Sequence, residues 1–504
     1  MLSLENIQHG LGDPTVQWTL AVVLPFTLYR LYLTLWRPAF LPKAPQLVEE
    51  GVPIVGSTGF WSARWDFCKE WSLKKGHFGF YVGKNRVIAV TGAAARQDFF
   101  NTRELDFGRG YKLLTGNEVA PADNGHEFSK HFTSRLTRML KGGEFLRNLP
   151  KLVRDLKNRL DKLADEPDKI TNPFDSIYEI VFQLTMRTVG CNEIADDPKL
   201  LSRAMQYNRT IELSSTPTRI IFPWIPTPAM FRQLYAGAGF YAMFDKVIKQ
   251  RKKENRRDDD ALQICMDQGD STKDVIGVVF GSLFAGQLNS GINAAWILIY
   301  LAKYPYWKQK VLEQVIEVAS KNCKDPTAPL VDQLISLPID VWEGGFPLLD
   351  LCLRDSIRLQ TVGTAFRKNL SGHDVKIGNA TIPNGYYVVY AMGDIHNDES
   401  IYPDPARWDP GRYLPDRAED KKVPYAWAGW GLGRHPCLGM RFAKLENVLI
   451  TAFWVAMFEF ELVDRDGKPT EELPQVDING FTANKPANTK YLRYWRRGES
   501  KATF

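Results

Sequence analysis

The sequence predicts a mainly helical domain with small β-sheets. Three observations point there. The run Val275 to Leu301 is long, apolar and free of interior proline, as befits a helix that crosses a whole domain. Residues from about Glu144 to Lys253 carry mostly helical patterns, broken at Pro217, Pro223, Pro226 and Pro228. The strand-like segments are short. Phe78 to Val82 and Val87 to Val90 flank Gly83 to Arg86 as a hairpin, and Val375 to Gly378 and Ile382 to Val389 read as strands with turns.

Size and charge narrow the function. The chain has 504 residues, 44% of them hydrophobic, enough for a sizeable core. Its 64 basic and 58 acidic residues leave a net charge of +6, which suits an anionic membrane surface or an acidic protein partner and does not suggest nucleic acid. The basic cluster Lys249 to Arg257, followed by Asp258, Asp259 and Asp260, reads as a solvated loop or helix end. Six scattered cysteines include no Cys-x-x-Cys pair, which argues against zinc, redox-dithiol and disulfide-framework readings.

The N-terminal stretch Trp18 to Trp36 is mostly apolar or aromatic, interrupted by Pro25 and Arg30, and its cleanest run is Ala21 to Tyr29. A full span needs about 20 apolar residues, and no small-residue cleavage site follows. We expect a membrane anchor or tilted interfacial helix over 18–36, with 1–17 on the lumenal side. Arg37 and Lys43 point the C-terminal side to the cytosol. Residues 37–56, with Pro38, Pro42, Pro45 and Pro53, read as a stiff linker into a domain over 57–504.

The most informative stretch is Trp430-Gly-Leu-Gly-Arg-His-Pro-Cys-Leu-Gly439, followed at once by a helical run from Met440 to about Phe458. Cys437 is expected near a helix N-terminus, where the dipole and free N–H groups favour a thiolate. Gly431, Gly433 and Gly439 would keep side chains away from whatever approaches the sulfur. Elsewhere, Asp355 and Arg358 stand at i and i+3 on one helical face. Pro410-Gly-Arg412-Tyr413 follows about fifty residues on. The middle of the long apolar helix reads Phe284-Ala-Gly-Gln-Leu-Asn-Ser290.

Taken in order, these motifs resemble the cytochromes P450. The Cys437 stretch is similar to the family's haem-binding signature, with Trp430 where Phe is usual and Gly-Arg-His as in the sterol-demethylase and related branches. Asp355 and Arg358 resemble the family's Glu-x-x-Arg pair, and Arg412 its distant partner. The resemblance implies a structural triad of Asp355, Arg358 and Arg412, in which a carboxylate lies between two guanidinium groups. It implies haem b held by the Cys437 thiolate. Trp430, Gly433, Gly439, His435, Arg434 and Arg367 would line the haem, the basic ones at its propionates, with His126 and Lys130 as further donors. Ala285 and Gly286 would let oxygen approach the helix. Leu288 and Asn289 replace the usual acid and threonine, so proton delivery would run through water, Ser290 or a substrate hydroxyl.

The function so implied is a membrane-bound monooxygenase. It would insert oxygen from O2 into a lipophilic small molecule: a terpenoid, sterol or other secondary-metabolite scaffold. No flavin region or phosphate-binding glycine loop is seen. Electrons would therefore come from NADPH through a separate NADPH–cytochrome P450 reductase, with cytochrome b5 as a further partner, at the cytosolic face of the endoplasmic reticulum membrane. The Asn289 departure leaves open a reductant-independent isomerase or dehydratase. In the same resemblance, Phe107 to Ala122, Gly-rich and aperiodic, covers the substrate. The break at Pro217 to Pro228 is the loop between two helices that roof the substrate channel, its Ile220, Ile221, Phe222 and Trp224 either dipping into the membrane or packed as core, and Ile478 and Phe481 touch the ligand.

Overall fold

The computed structural model describes residues 36–115, 125–214, 216–222, 225–361, 363–480 and 485–499, together with 21, 23–29 and 32. The expected lumenal residues 1–17, much of the expected anchor, Trp224 and Phe481 lie outside them. From the N-terminal side run α1 (Arg64–Lys75), β1 (Phe78–Val82), β2 (Asn85–Val90), α2 (Ala93–Asn101), β3 (Leu105–Asp106), α3 (Phe107–Thr115) and α4 (Gly125–Met139). Then follow α5 (Gly142–Asp165), β4 (Ile170–Thr171), α6 (Pro173–Val189), α7 (Pro198–Leu213), α8 (Pro228–Glu254) and α9 (Thr272–Lys303). The C-terminal part holds α10 (Pro305–Asn322), α11 (Pro347–Gln360), β5 (Thr364–Asn369), β6 (Val375–Ile377), β7 (Ala380–Ile382), β8 (Tyr387–Ala391), α12 (Met440–Met457), β9 (Phe458–Val463) and β10 (Tyr491–Arg496). Shorter helical turns join them.

The expected fold class is what the structure has. Helix starts follow local chemistry. Pro stands at the first position of α6, α7, α8, α10 and α11, where its missing N–H costs nothing. Ser271 and Asp274 form a capping box at the start of α9. This 32-residue helix passes through the core and packs along α6, with Val278, Val279, Leu283 and most residues from Ser290 to Leu301 buried. It has the length and composition of a membrane span, yet its burial marks it as the core helix. Close approach explains one of its glycines: a Cβ on Gly281 would meet the Phe132 ring of α4 at 2.9 Å.

The strands form three small sheets. The largest has the order β1-β2-β8-β5-β3, with β2 and β8 parallel and the other pairs antiparallel. The hairpin turn is tighter than expected, because β2 begins at Asn85 and Gly83 takes φ +59°. The proline-bearing stretch runs over this sheet. The Val48 N–H donates to the Gly79 carbonyl at 2.8 Å, the Tyr81 hydroxyl donates to the Pro38 carbonyl at 2.8 Å, and Phe40 packs edge-on against Tyr81 and Tyr386.

Two local expectations are corrected. Phe107 to Thr115, read as aperiodic, is helix α3, where Phe107 and Tyr111 stack one turn apart. The basic cluster at the end of α8 is not simply solvated. Arg251 is fully buried and donates to Glu193 at 2.8 Å and to Asp260 at 2.9 Å, so part of what reads as solvated loop charge instead closes a buried ion pair.

Candidate active site

Cys437 lies in the turn before α12, three residues ahead of its first residue. Its N–H donates to the Trp430 carbonyl at 2.7 Å, folding the stretch back on itself. Gly431 and Gly433 take φ of +71° and +57°. A Cβ on Gly431 would strike the His435 carbonyl oxygen at 2.5 Å, and one on Gly433 the Phe100 carbonyl oxygen at 2.4 Å. These two glycines serve the turn itself rather than clearance at the sulfur. Gly439 is different: a Cβ there would meet nothing within 4 Å, which leaves room for a flat group.

The expectation of a dipole-stabilised thiolate needs correction. Cys437 stands outside the first turn, where the dipole fades. Burial pushes its thiol above the ordinary value, and only a hydrogen bond from the Gly439 backbone pulls it down. Yet the residue is solvent-accessible. A group both accessible and desolvated faces an internal hollow. The long helix opens on a hollow as well. Ala285 and Asn289, one turn apart, are exposed, and Gly281, Phe284, Gly286 and Leu288 are part-exposed, although Val278, Val279, Leu283 and Ile292 around them are buried.

Asn289 does not simply stand in for an alcohol. Its Nδ2 donates to the Ala285 carbonyl at 2.8 Å, and Asn293 repeats the pattern onto the Asn289 carbonyl at 2.8 Å. The Ala285 carbonyl only accepts, so the amide nitrogen must face it. That leaves Asn289 Oδ1 as an acceptor.

The basic residues form a cradle short of negative charge. Arg367 is buried, and burial lowers its guanidinium to about 10, with Asp106 opposing. It donates to the Phe366 carbonyl at 2.8 Å and lies over the Phe107 ring at 4.6 Å. His435 stacks on the same ring at 5.1 Å. Burial, then Arg367 and Arg434, push His435 down to about 4. An anionic carboxylate is what such a cradle lacks. The accessible sulfur, the clear space at Gly439, the two guanidinium groups and the neutral His435 imidazole together fit a haem with its propionates. Lys130 is exposed on α4, while the side chain of His126 lies outside the described residues.

The triad is remodelled. Asp355 and Arg358 are fully buried, with Arg358 Nε donating to Asp355 Oδ1 at 2.7 Å. Arg412 Nε, however, is 4.0 Å from Asp355. The shorter Asp does not reach Arg412 by itself. Instead a second carboxylate, Glu419, lies 3.0 Å from Arg412 Nη1, and Asp355 is filled out by the Tyr413 hydroxyl at 2.9 Å and the Asp409 N–H at 2.6 Å.

Three residues escaped sequence reasoning. Glu419 gave no signal, because it sits among charged loop residues. His396 is fully buried, with Nδ1 at 3.2 Å from the Thr361 carbonyl and Nε2 accepting from the Ala428 N–H at 3.1 Å. Burial first, then Arg358, push it down to about 3. A depressed base stabilises the fold above its unfolded value near 6.5 and ceases to do so as pH falls toward 3. Chemical denaturation from pH 7 to pH 4 is expected to show a loss approaching about 1.4 kcal/mol per pH unit, with His396→Gln flattening the slope. The third is Glu446, fully buried on α12, where the Thr185 hydroxyl donates to Oε1 at 3.3 Å. A lone acid in an apolar helical run was the signal available.

A polar cleft of about 330 Å³ between α5, α6 and α7 includes none of these residues. Within it Arg154 pairs with Asp155 and Asp196, and Arg159 with Glu179.

Comparisons with known proteins agree with this geometry. The family described as Cytochrome P450 matches residues 48–490. The chain is 33% identical to the cytochrome P450 monooxygenase AacuE of Aspergillus aculeatus, over 95% of this chain and 98% of that one. It is 30% identical to the obtusifoliol 14-alpha demethylase of Triticum aestivum, over 75% of this chain and 83% of that one, so the sterol branch matches less of it. Its fold matches the retinoic-acid-bound cyanobacterial CYP120A1 with a TM-score of 0.70 at 21% identity, covering 91% of this chain and 100% of that one. The family and fold imply haem on a cysteine thiolate, with electrons from a redox partner. With this match running almost from end to end, the chain belongs to the cytochrome P450 family and is a haem-thiolate monooxygenase.

Proposed function

We propose that Cys437 is the thiolate ligand and that the enzyme inserts one oxygen atom from O2 into a lipophilic small molecule, a terpenoid, sterol or other secondary-metabolite scaffold. The observation that carries this reading is the desolvated yet accessible Cys437 sulfur, together with the opening of α9 at Ala285 and Asn289. When bound, haem supplies the oxygen activation, its thiolate raising electron density at iron.

The chain's own residues position and shield. Arg367 and Arg434 would hold the propionates by charge-assisted hydrogen bonds and His435 through its ring N–H, with Lys130 and His126 as outer donors. Trp430 pins the Cys437 backbone, and Gly433 and Gly439 shape the loop. Asp355, Arg358 and Arg412 fix the chain that leads to it. Ala285 and Gly286 leave space above, and Asn289 Oδ1 accepts a hydrogen bond from a substrate hydroxyl or water.

Electrons come from NADPH through NADPH–cytochrome P450 reductase, with cytochrome b5 as second donor, at the endoplasmic reticulum membrane. Exposed apolar side chains support lipid contact: Val23, Leu24, Phe26 and Leu28 in the anchor, and Phe231, Leu234 and Tyr235 on α8. A panel of terpenoids and sterols is expected to contain members that shift the haem absorption band and turn over only with NADPH and reductase. Turnover indifferent to both would instead support an isomerase or dehydratase.

A further inference from the structure

The polar cleft between α5, α6 and α7 lies apart from every residue assigned to haem or substrate. Its floor is closed and partly apolar, with Phe182, Ala195 and Leu201 all buried. Met205, one turn beyond Leu201 on α7, is half-buried and supplies an adaptable apolar wall. Gln183 lines the cleft while only 7% exposed. Its amide nitrogen is taken up by the Ala195 carbonyl at 2.7 Å and by Asp155 at 3.2 Å. Its Oε1 receives a long bond of 3.4 Å from Arg159 Nη2. A volume of about 330 Å³ falls at the lower end of small-molecule pockets.

The charges around the mouth do not cancel. Asp155 and Asp196 are shared by two guanidinium groups, that of Arg154 and that of the buried Arg187, and this quartet is neutral. Arg159 and Lys162 remain, three residues apart on the face of α5 that lines the cleft. Like charges at that spacing repel. Glu179 is the carboxylate beside them. It is 51% exposed and 3.6 Å from Arg159 Nη1, too far for a hydrogen bond. Lys162 forms no ion pair among the described residues. The cleft therefore carries a single positive charge in excess, next to an apolar wall.

We propose that this cleft is a second binding site, for a small carboxylate with a flat apolar body. A carboxylate brings the single charge that is lacking, where a phosphate dianion would overshoot, and its two oxygens match the planar fork of Arg159. Arg159 and Lys162 take the carboxylate between them, which relieves their repulsion. The apolar body packs on Leu201 and Met205 and displaces water there. Binding makes and breaks no covalent bond and draws nothing from haem chemistry. Since α5 and α6 form one wall and α7 the other, the occupant ties α7 to the helices beneath it.

The test uses the full-length holoenzyme with phenylimidazole saturating the haem site, so that the substrate cavity is closed. The probe is naphthoate, with naphthylmethanol as its neutral counterpart and acetate as its bare head. Naphthoate fluorescence should titrate with a Kd of about 1 mM or tighter. Naphthylmethanol and acetate should each bind at least roughly tenfold more weakly, the worth of the charge-assisted hydrogen bond and of the apolar body respectively. Arg159→Gln should weaken naphthoate by roughly tenfold or more. Lys162→Gln should weaken it by about threefold, as befits an exposed charge. Ser202→Trp, which fills the cleft from an exposed position on α7, should abolish binding. All three variants should keep the wild-type circular dichroism. Hydrogen exchange in the wild type should slow over 154–162 and 198–205 when naphthoate is added, and stay unchanged over α9. No saturable binding with the haem site closed, acetate matching naphthoate, affinity indifferent to Arg159→Gln and Ser202→Trp, or protection on α9 instead would each overturn the site.

Discussion

Asp355→Asn is expected to cost about 3–5 kcal/mol of stability, the range found when one member of a buried ion pair is removed. The carboxylate is fully buried and accepts from three residues: from Arg358 Nε at 2.7 Å, from the Tyr413 hydroxyl at 2.9 Å and from the Asp409 N–H at 2.6 Å. An amide at this position leaves the Arg358 charge buried with only carbonyls for company, those of His396, Pro405 and Arg407. Urea unfolding followed by circular dichroism measures the loss. Glu419→Gln should act in the same direction, because Arg412 is 1% exposed and takes its nearest carboxylate from Glu419. The geometry also predicts a rescue. Asp355 falls short of Arg412 at 4.0 Å, so the longer Asp355→Glu should recover part of the stability in a Glu419→Gln background. Absence of any rescue would mean that the two carboxylates do not share the load.

Cys437→Ser is expected to leave the fold intact and abolish the chemistry. The side chain is accessible, so exchanging sulfur for oxygen disturbs little packing. The alcohol has no accessible anion to offer iron. The reduced carbon-monoxide band should lose its thiolate character, and NADPH-dependent turnover should fall by more than the roughly 10–100-fold that loss of an outer partner costs. A variant that kept both the band and the turnover would show that another residue holds the iron.

Much of this was legible in the sequence because the chemistry is local. The Trp430–Gly439 stretch needs its glycines for backbone reasons that one sequence already displays, although two of them serve the turn rather than the sulfur. The α9 core helix announced itself by length and apolarity. What was missed depends on contacts between distant segments. Glu419 replaces part of the usual triad from a loop whose charges look ordinary in sequence. Glu446 becomes an acid only because α6 and α9 close over it. The thiol of Cys437 responds to burial, which overrides a helix start that lies too far along the chain. Phe107 to Thr115 folded as a helix through ring stacking with neighbours, where glycines had suggested a loop.

The stretch that carries the prolines has a consequence for handling the protein. Since Pro38, Phe40 and Val48 contribute to the large sheet's packing and hydrogen bonding, the catalytic body effectively starts before Pro38 rather than at residue 57. Any shortened form meant for crystallisation should keep these residues, because cutting further in would strip the edge of β1 and bare Tyr81 and Tyr386 to solvent.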